Sequence, residues 1–239
     1  NKKNLTKNKK NLTKNKKKLI GSSASNYIPP PIPIKLNELF THIKSSHFNL
    51  VKEILDDNEL LDNSDNSRLD FSTLKINDLS PLFYSMYEIS QIRNNDDSLG
   101  KVLEMKHNSA LSVFEIILNH PNIDPNQFIY SSGETLNPLF YSMKLGNKEL
   151  FFKLINNERI QLNIKRVYDG VTPFLYSLFS DDIYFFKIFL ENEKIDTTIT
   201  DSQGNNAIHY VCGNLFIKNR IETLKLLLQS KKIVLLIEN

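Results

Sequence analysis

From Leu36 onward, apolar residues recur at three- and four-residue intervals in short blocks, and polar clusters separate the blocks. That periodicity predicts amphipathic helices rather than strands. The blocks come in pairs. Leu36–Leu55, LNELFTHIKSSHFNLVKEIL, predicts two helices around a polar turn. Further on, three segments nearly coincide: Ser80–Met86 (SPLFYSM), Asn137–Met143 (NPLFYSM) and Thr172–Leu178 (TPFLYSL). A fourth, Asn206–Cys212 (NAIHYVC), is a weaker copy. The register positions Pro138, Pro173 and Ala207 stand 35 and 34 residues apart. A second apolar block follows each copy, at Leu150–Ile155, Ile183–Leu190 and Ile221–Leu228. Pro138 to Ile155 and Pro173 to Leu190 are both 17 residues, but Pro81 reaches its matching Leu118 only after 37. The surplus is polar and contains QIRNNDDSLG, so it predicts an inserted loop at 91–108. The last copy carries about four extra residues near Leu215–Asn219.

Local chemistry supports the helix starts. Proline at the first helical position loses no hydrogen bond, because that N–H has no partner anyway. The preceding Ser80, Asn137 or Thr172 can accept a backbone N–H as an N-cap. Ser85, Ser142 and Ser177 form a small-residue column that lets paired helices approach closely. A single two-helix unit is too thin to bury its own apolar face, so neighbouring units must stack.

Residues 1–35 follow a different rule. Asn1–Lys7 (NKKNLTK) recurs as Asn8–Lys14 and varies as Asn15–Gly21. Only one apolar position recurs across the three heptads, at Leu5, Leu12 and Leu19, too little to offset the entropy of ordering. This tail is expected to be disordered. Ile28–Ile34, IPPPIPI, is expected to be a stiff polyproline II stretch.

The repeated blocks resemble the ankyrin-repeat family, whose pattern runs D-x-x-G-x-T-P-L-H-x-A and then a second helix ending V-x-x-L-L. Asp169-Gly170 with Thr172-Pro173 matches the entry to the first helix, with the spacing between Asp and Gly compressed. Asp201–Gly204 with Asn206–His209 matches the turn and the histidine. Gly146–Leu150 matches the turn between helices, and Ile123-Asp-Pro-Asn126 the I-D-x-N that leads out of a repeat. Leu36–Leu55 fits a divergent first unit without the Thr-Pro start. The resemblance covers residues 36–239. It implies an all-α fold, an ankyrin-repeat solenoid of about five helix-turn-helix units joined by short hairpin loops, behind a disordered N-terminal tail. The units fall at 36–69, 77–128 with the loop at 91–108, 134–166, 169–200 and 201–239. The apolar end, KKIVLLIEN, lacks the polar outer face of a capping unit, and the first residue is not Met. The first feature predicts a protein that continues past Asn239, and the second a fragment or a processed product.

The same resemblance implies a non-catalytic protein-binding module that presents side chains from hairpin tips and from the exposed ends of first helices. By register these are Phe128, Ile129 and Tyr130, then Lys165, Arg166, Val167 and Tyr168. On the helices they are Tyr87, Glu88, Lys144, Leu145, Phe179 and Ser180. Their mixture of aromatic and charged residues, with no dominant sign, suits a protein or peptide partner better than nucleic acid. The alternative is the regulatory ankyrin region of a larger enzyme such as a kinase, or a nuclear regulator that uses the basic tail.

Composition narrows the choice. The net charge of +3 conceals an asymmetry: ten of the 30 Lys and Arg lie in residues 1–35, which hold no acid. The other 20 face all 27 acids, a net of −7, so the folded part is a poor nucleic-acid surface. Gly numbers only 7, and no phosphate-loop, dinucleotide or nucleophile-elbow motif is present. The single Cys212 allows neither an internal disulfide nor a cysteine zinc site, which predicts an intracellular, cytoplasmic protein. It aligns with Met143 and Leu178 and is expected to be buried and inert. His209 occupies the family's structural histidine position, while Phe83, Phe140 and Leu175 have lost it, so a hydrogen-bonding role is expected rather than catalysis. His42, His47, His107 and His120 are read as showing no zinc-ligand spacing. Asp56-Asp57, Asp96-Asp97 and Asp181-Asp182 are expected to be solvated or helix-capping. Tyr84, Tyr141, Tyr176 and Tyr210 form a column that is expected to pack between units. No cofactor, metal or small-molecule substrate is expected. In the tail, Lys14–Lys18 is a candidate nuclear-import or polyanion patch, and Pro30–Lys35 a candidate ligand for proline-reading domains. Asn4-Leu-Thr6 and Asn11-Leu-Thr13 match glycosylation acceptors without a secretion signal to accompany them.

Overall fold

A computed structural model describes residues 34–57, 70–92, 100–131, 133–180, 182–213 and 217–230. The chain divides into two units, Asn1–Ile34 and Lys35–Asn239. The heptads, the Pro-rich stretch up to residue 33 and the apolar 231–239 lie outside the described residues, as do Asp96-Asp97 and Asp181.

The second unit is mostly helical. Its helices are α1 (Ile34–Lys44), α2 (Phe48–Asp56), α3 (Pro81–Gln91), α4 (Gly100–Asn119), α5 (Pro138–Lys144), α6 (Lys148–Ile155), α7 (Pro173–Ser177), α8 (Ile183–Glu191), α9 (Ala207–Gly213) and α10 (Arg220–Gln229). A short 3-10 turn covers Phe71–Thr73, and β1 (Ile129–Ser131) pairs antiparallel with β2 (Glu134–Leu136). Helices pack in pairs, α3 with α4, α5 with α6, α7 with α8 and α9 with α10. First helices also meet one another, α3 against α5 and α5 against α7, and α2 lies against α4.

The helix starts follow the sequence logic. Asn137 accepts the Phe140 N–H at 3.0 Å and Thr172 accepts the Leu175 N–H at 3.3 Å. Pro81, Pro138 and Pro173 each open a helix. Ser80 caps α3 by position, without a side-chain hydrogen bond. The serine column is buried, and each hydroxyl donates to the carbonyl three residues back: Ser85 to Leu82, Ser142 to Leu139, Ser177 to Phe174, at 2.6–2.7 Å.

The tyrosine column packs between pairs. Tyr84 stands edge-on to Phe40, Tyr141 to Phe83, Tyr176 to Phe140 and Tyr210 to Phe179, with ring centroids 5.1–5.4 Å apart. Burial raises the Tyr84 and Tyr176 phenols to about 12, helped by the acceptor Glu88 at Tyr84 and by the nearby Glu134 at Tyr176. Second helices meet through a separate cluster, with Phe151 edge-on to Phe185 at 4.9 Å and to Phe189 at 5.2 Å.

Asparagines clip the loops in series. Asn126 donates to the Arg159 carbonyl and accepts the Gln161 N–H, at 2.8 and 2.7 Å. Asn163 repeats this one pair later, with the Lys194 carbonyl and the Asp196 N–H, both at 2.9 Å. These are the asparagines that close Ile123–Asn126 and Ile160–Asn163, so the exit motif acts as a cross-loop clip. Arg159 adds a clamp that the sequence pattern had not flagged. Its guanidinium donates to the carbonyls of Leu118, His120 and Ile123, tying the last turn of α4 to the loop that follows it.

Two expectations need correcting. The inserted loop at 91–108 is largely helix: Gln91 ends α3, α4 begins at Gly100, and only 93–99 lie outside the described residues. Lys101–Asn108 forms the exposed first turns of α4, with Val102 and Met105 facing solvent, and it holds no proline and mostly good helix formers. Cys212 is exposed, not buried, because no described helix follows its pair. Asp56 ends α2, where a carboxylate opposes the helix dipole and cannot cap, but it is exposed, as the solvated reading expects. His209 is exposed but keeps the expected bonding role: its Nδ1 accepts the Asn206 N–H at 3.2 Å, and the Asn206 side chain accepts the His209 N–H at 3.0 Å.

Two substitutions probe the packing. Phe140→Ala removes a fully buried ring that contacts Tyr176, and it should cost about 3–5 kcal/mol in denaturant unfolding. Gly170→Ala should cost on the order of 2 kcal/mol despite adding one methyl. Gly170 has φ +71°, and a Cβ there would lie 2.6 Å from the Ser202 nitrogen. That nitrogen and the Ser202 hydroxyl both donate to the Asp169 carbonyl, at 2.9 and 2.8 Å.

Candidate interaction groove

Two adjoining concavities open beside α5, α7 and their hairpin tips. The larger, about 660 Å³, is lined by Glu134, Lys144, Leu145, Arg166, Tyr176, Phe179 and Ser180 among others. The smaller, about 400 Å³, is lined by Tyr130, Glu134, Thr135, Arg166, Tyr168 and Asp169. Glu134 and Arg166 border both and join them into one groove.

Local structure explains each wall. The β1–β2 hairpin turns through Gly133 at φ +84° and carries Tyr130 and Glu134 to the rim. The Arg166–Val171 tip closes on its own backbone, with the Gly170 N–H donating to the Arg166 carbonyl at 2.8 Å and the Arg166 N–H to Val171 at 3.0 Å. That closure leaves Val167 and Tyr168 outside, 95% and 89% exposed.

Arg166 is the central group. Its Nε donates to Asp169 at 3.0 Å, and Nη2 forms the second arm of a bidentate pair. The guanidinium lies 5.5 Å from the Phe140 ring centroid and 5.4 Å from that of Tyr176. It is mostly buried, so it acts as a fixed wall rather than a free cation. The other charges are paired too, Lys144 with Glu134 at 2.8 Å and Lys148 with Asp182 at 2.7 Å. The groove therefore offers balanced, tied charges beneath exposed rings.

No family model matches the chain, and no curated protein matches it at a significant level. The groove must be read from its own residues.

The structure gathers part of the expected surface. Tyr130, Lys144, Leu145, Arg166, Tyr168, Phe179 and Ser180 line the groove, with Val167 beside them on the Arg166–Tyr168 tip. Lys165 is exposed on the same loop, but its ammonium donates to the Thr200 carbonyl at 2.7 Å and lines neither concavity. Tyr87 and Glu88 lie on α3 and also line neither, and Glu88 accepts the Tyr84 hydroxyl. Phe128 is half-buried against Phe140 at 6.3 Å, so it packs rather than presents. Ile129 is buried, a correction that follows from strand alternation, which sends Ile129 inward and Tyr130 outward. Glu134 and Tyr176 complete the groove and had not been picked out as surface. Glu134 lacks any repeating signal, and Tyr176 belongs to a column that reads as packing.

Asp201 supports the next tip. It accepts the backbone N–H groups of Gln203 and Asn205 at 2.8 Å and the Tyr210 hydroxyl at 2.6 Å. Burial opposes its ionisation, but the hydrogen bonds from Tyr210, Asn205 and Gln203 outweigh it and hold the carboxyl below its ordinary 3.8. Burial and the same bond push the Tyr210 phenol up.

A folded-state pKa below the unfolded value gives stability that is full above the unfolded value and is lost as pH falls through the folded one. Asp182 and Asp196 shift the same way, through bonds from Lys148 and from Thr198. The melting temperature should therefore hold from pH 7 to about 4.5 and fall steeply towards pH 2.5. Asp201→Asn should melt lower at pH 7 and lose less on acidification.

Proposed function

We propose that residues 36–239 form an ankyrin-type array of helix pairs whose role is non-catalytic binding of a protein partner along the Glu134–Arg166 groove. The observation that carries this reading is the state of the groove: every charge named in it is committed to a neighbour, while Tyr130 and Tyr168 stand 71% and 89% exposed at the rim. Exposed aromatics over a rigid, pre-paired floor suit protein recognition, since large rings bury much area at small entropic cost. The recurrent Phe-to-Tyr step, the asparagine clips and the proline-opened first helices support the repeat reading from three independent kinds of contact.

Among the described residues no helix is long and apolar enough to cross a membrane. The partner is expected to be a peptide segment or protein edge with apolar side chains for the rim.

Affinity capture with the full chain tests the proposal. The wild type should retain a discrete partner, and Tyr130→Ala, Tyr168→Ala and Phe179→Ala combined should reduce retention at least tenfold with helicity unchanged by circular dichroism. Phe152→Ala, on the exposed side of α6, should leave capture intact. Equal capture by the triple variant would place the binding surface elsewhere.

A further inference from the structure

The turn between α1 and α2 brings together two imidazoles that sequence spacing alone had set aside. α1 ends in a Schellman motif, in which the residue after the helix adopts the left-handed conformation and two backbone bonds close the end. Ser46 takes that position at φ +56°. The Ser46 N–H donates to the Ile43 carbonyl at 3.0 Å and the His47 N–H to the His42 carbonyl at 2.9 Å. The second bond spans five residues and sets the side chains at its two ends against each other, a place often taken by an apolar contact. The turn between α5 and α6 has the same bonds, from Gly146 to Met143 and from Asn147 to Ser142, with Gly146 at φ +65°. Its facing pair is Ser142 and Asn147. In the first pair it is His42 and His47.

Their Nδ1 atoms lie 3.3 Å apart, with ring centroids at 5.5 Å and planes tilted by 43°. His47 is exposed and His42 only partly covered, so solvent reaches the pair. Without a metal, one ring donates Nδ1–H to the other. The same separation matches the bite of a tetrahedral ion: two Zn–N bonds of about 2.05 Å place the nitrogens about 3.4 Å apart. Among the described residues no third histidine, cysteine or carboxylate joins the pair, so the chain supplies two donors and leaves the other positions open.

We propose that His42 and His47 form a two-imidazole chelate for a divalent transition-metal ion, clipping the C-terminus of α1 to the N-terminus of α2. The donating ring shifts its proton from Nδ1 to Nε2, both Nδ1 lone pairs bind the ion, and water completes the shell. Binding needs both imidazoles neutral, so it weakens on acidification. Nitrogen donors also bind Cu²⁺ more tightly than Zn²⁺.

The chain has five histidines and one cysteine, which permits a clean test. In full-length Cys212→Ser protein, calorimetric titration with Zn²⁺ should show one ion bound, with Cu²⁺ tighter. His42→Ala and His47→Ala should each weaken Zn²⁺ at least tenfold, while His107→Ala and His209→Ala leave it unchanged. Saturating Zn²⁺ should raise the melting temperature of the parent and not that of the His42→Ala/His47→Ala double variant, because an ion held only by the folded state stabilises it. Absence of Zn²⁺ binding, or binding that survives the double variant, would overturn the chelate.

Discussion

Neighbouring helix pairs are held at a set distance by one recurring contact, in which a tyrosine on a first helix stands edge-on to a phenylalanine of the pair before it. Phe40 to Tyr84, Phe83 to Tyr141 and Phe140 to Tyr176 repeat it with nearly constant centroid distances of 5.1–5.4 Å. Edge-to-face pairs contribute about 0.5–1.5 kcal/mol each beyond the area they bury. Their larger effect is geometric, because the positive edge of one ring on the negative face of another tolerates little sliding. The last step differs. Leu175 stands where Phe83 and Phe140 stand, and Tyr210 instead meets Phe179, four residues later on the following turn. Phe179 thereby both packs against the next pair and lines the groove.

With the first helices fixed, the hairpin tips fall close enough to bond. The Asp169 carbonyl accepts two hydrogen bonds from Ser202, and the asparagine clips join successive exit loops. Loops carry unpaired backbone groups that must find partners once helices crowd them. Here the partners come from the next loop along, so satisfying the backbone and holding the pairs in step are the same act. The ion pairs between second helices, Glu115 with Lys153 and Lys187 with Glu222, are largely exposed and add little by comparison.

The groove inherits its shape from this arrangement. Arg166 can wall it because Phe140 and Tyr176, already locked edge to face, present their rings to its guanidinium. Tying Arg166 to Asp169 and Lys144 to Glu134 removes the free charge that would attract an unselective polyanion. What the groove then presents is contour and exposed aromatic surface, on which the proposed partner binding rests.

Much of the architecture was legible in the residues. The helix pairs, the proline-opened first helices, the capping roles of Asn137 and Thr172 and the packing of the tyrosine column follow from interactions within one helical turn or from exact repetition. Both are written in local order along the chain. Features that join distant residues were not. Lys101–Asn108 read as loop because it follows the polar run QIRNNDDSLG and exceeds the repeat length, and neither cue shows a helix that extends beyond its packed face. Ile129 and Tyr130 looked equivalent until strand alternation sent one inward, and Cys212 read as core because its buried counterparts belong to pairs with a further pair beyond them. His42 and His47 faced each other only once a Schellman turn bent the chain between them. Periodicity, caps and repeat length were set by the sequence itself, since each depends on neighbours a few residues away. Which side chains share a groove, which carbonyls Arg159 reaches and which two imidazoles meet were decided by tertiary structure, because those contacts exist only after the helices have packed.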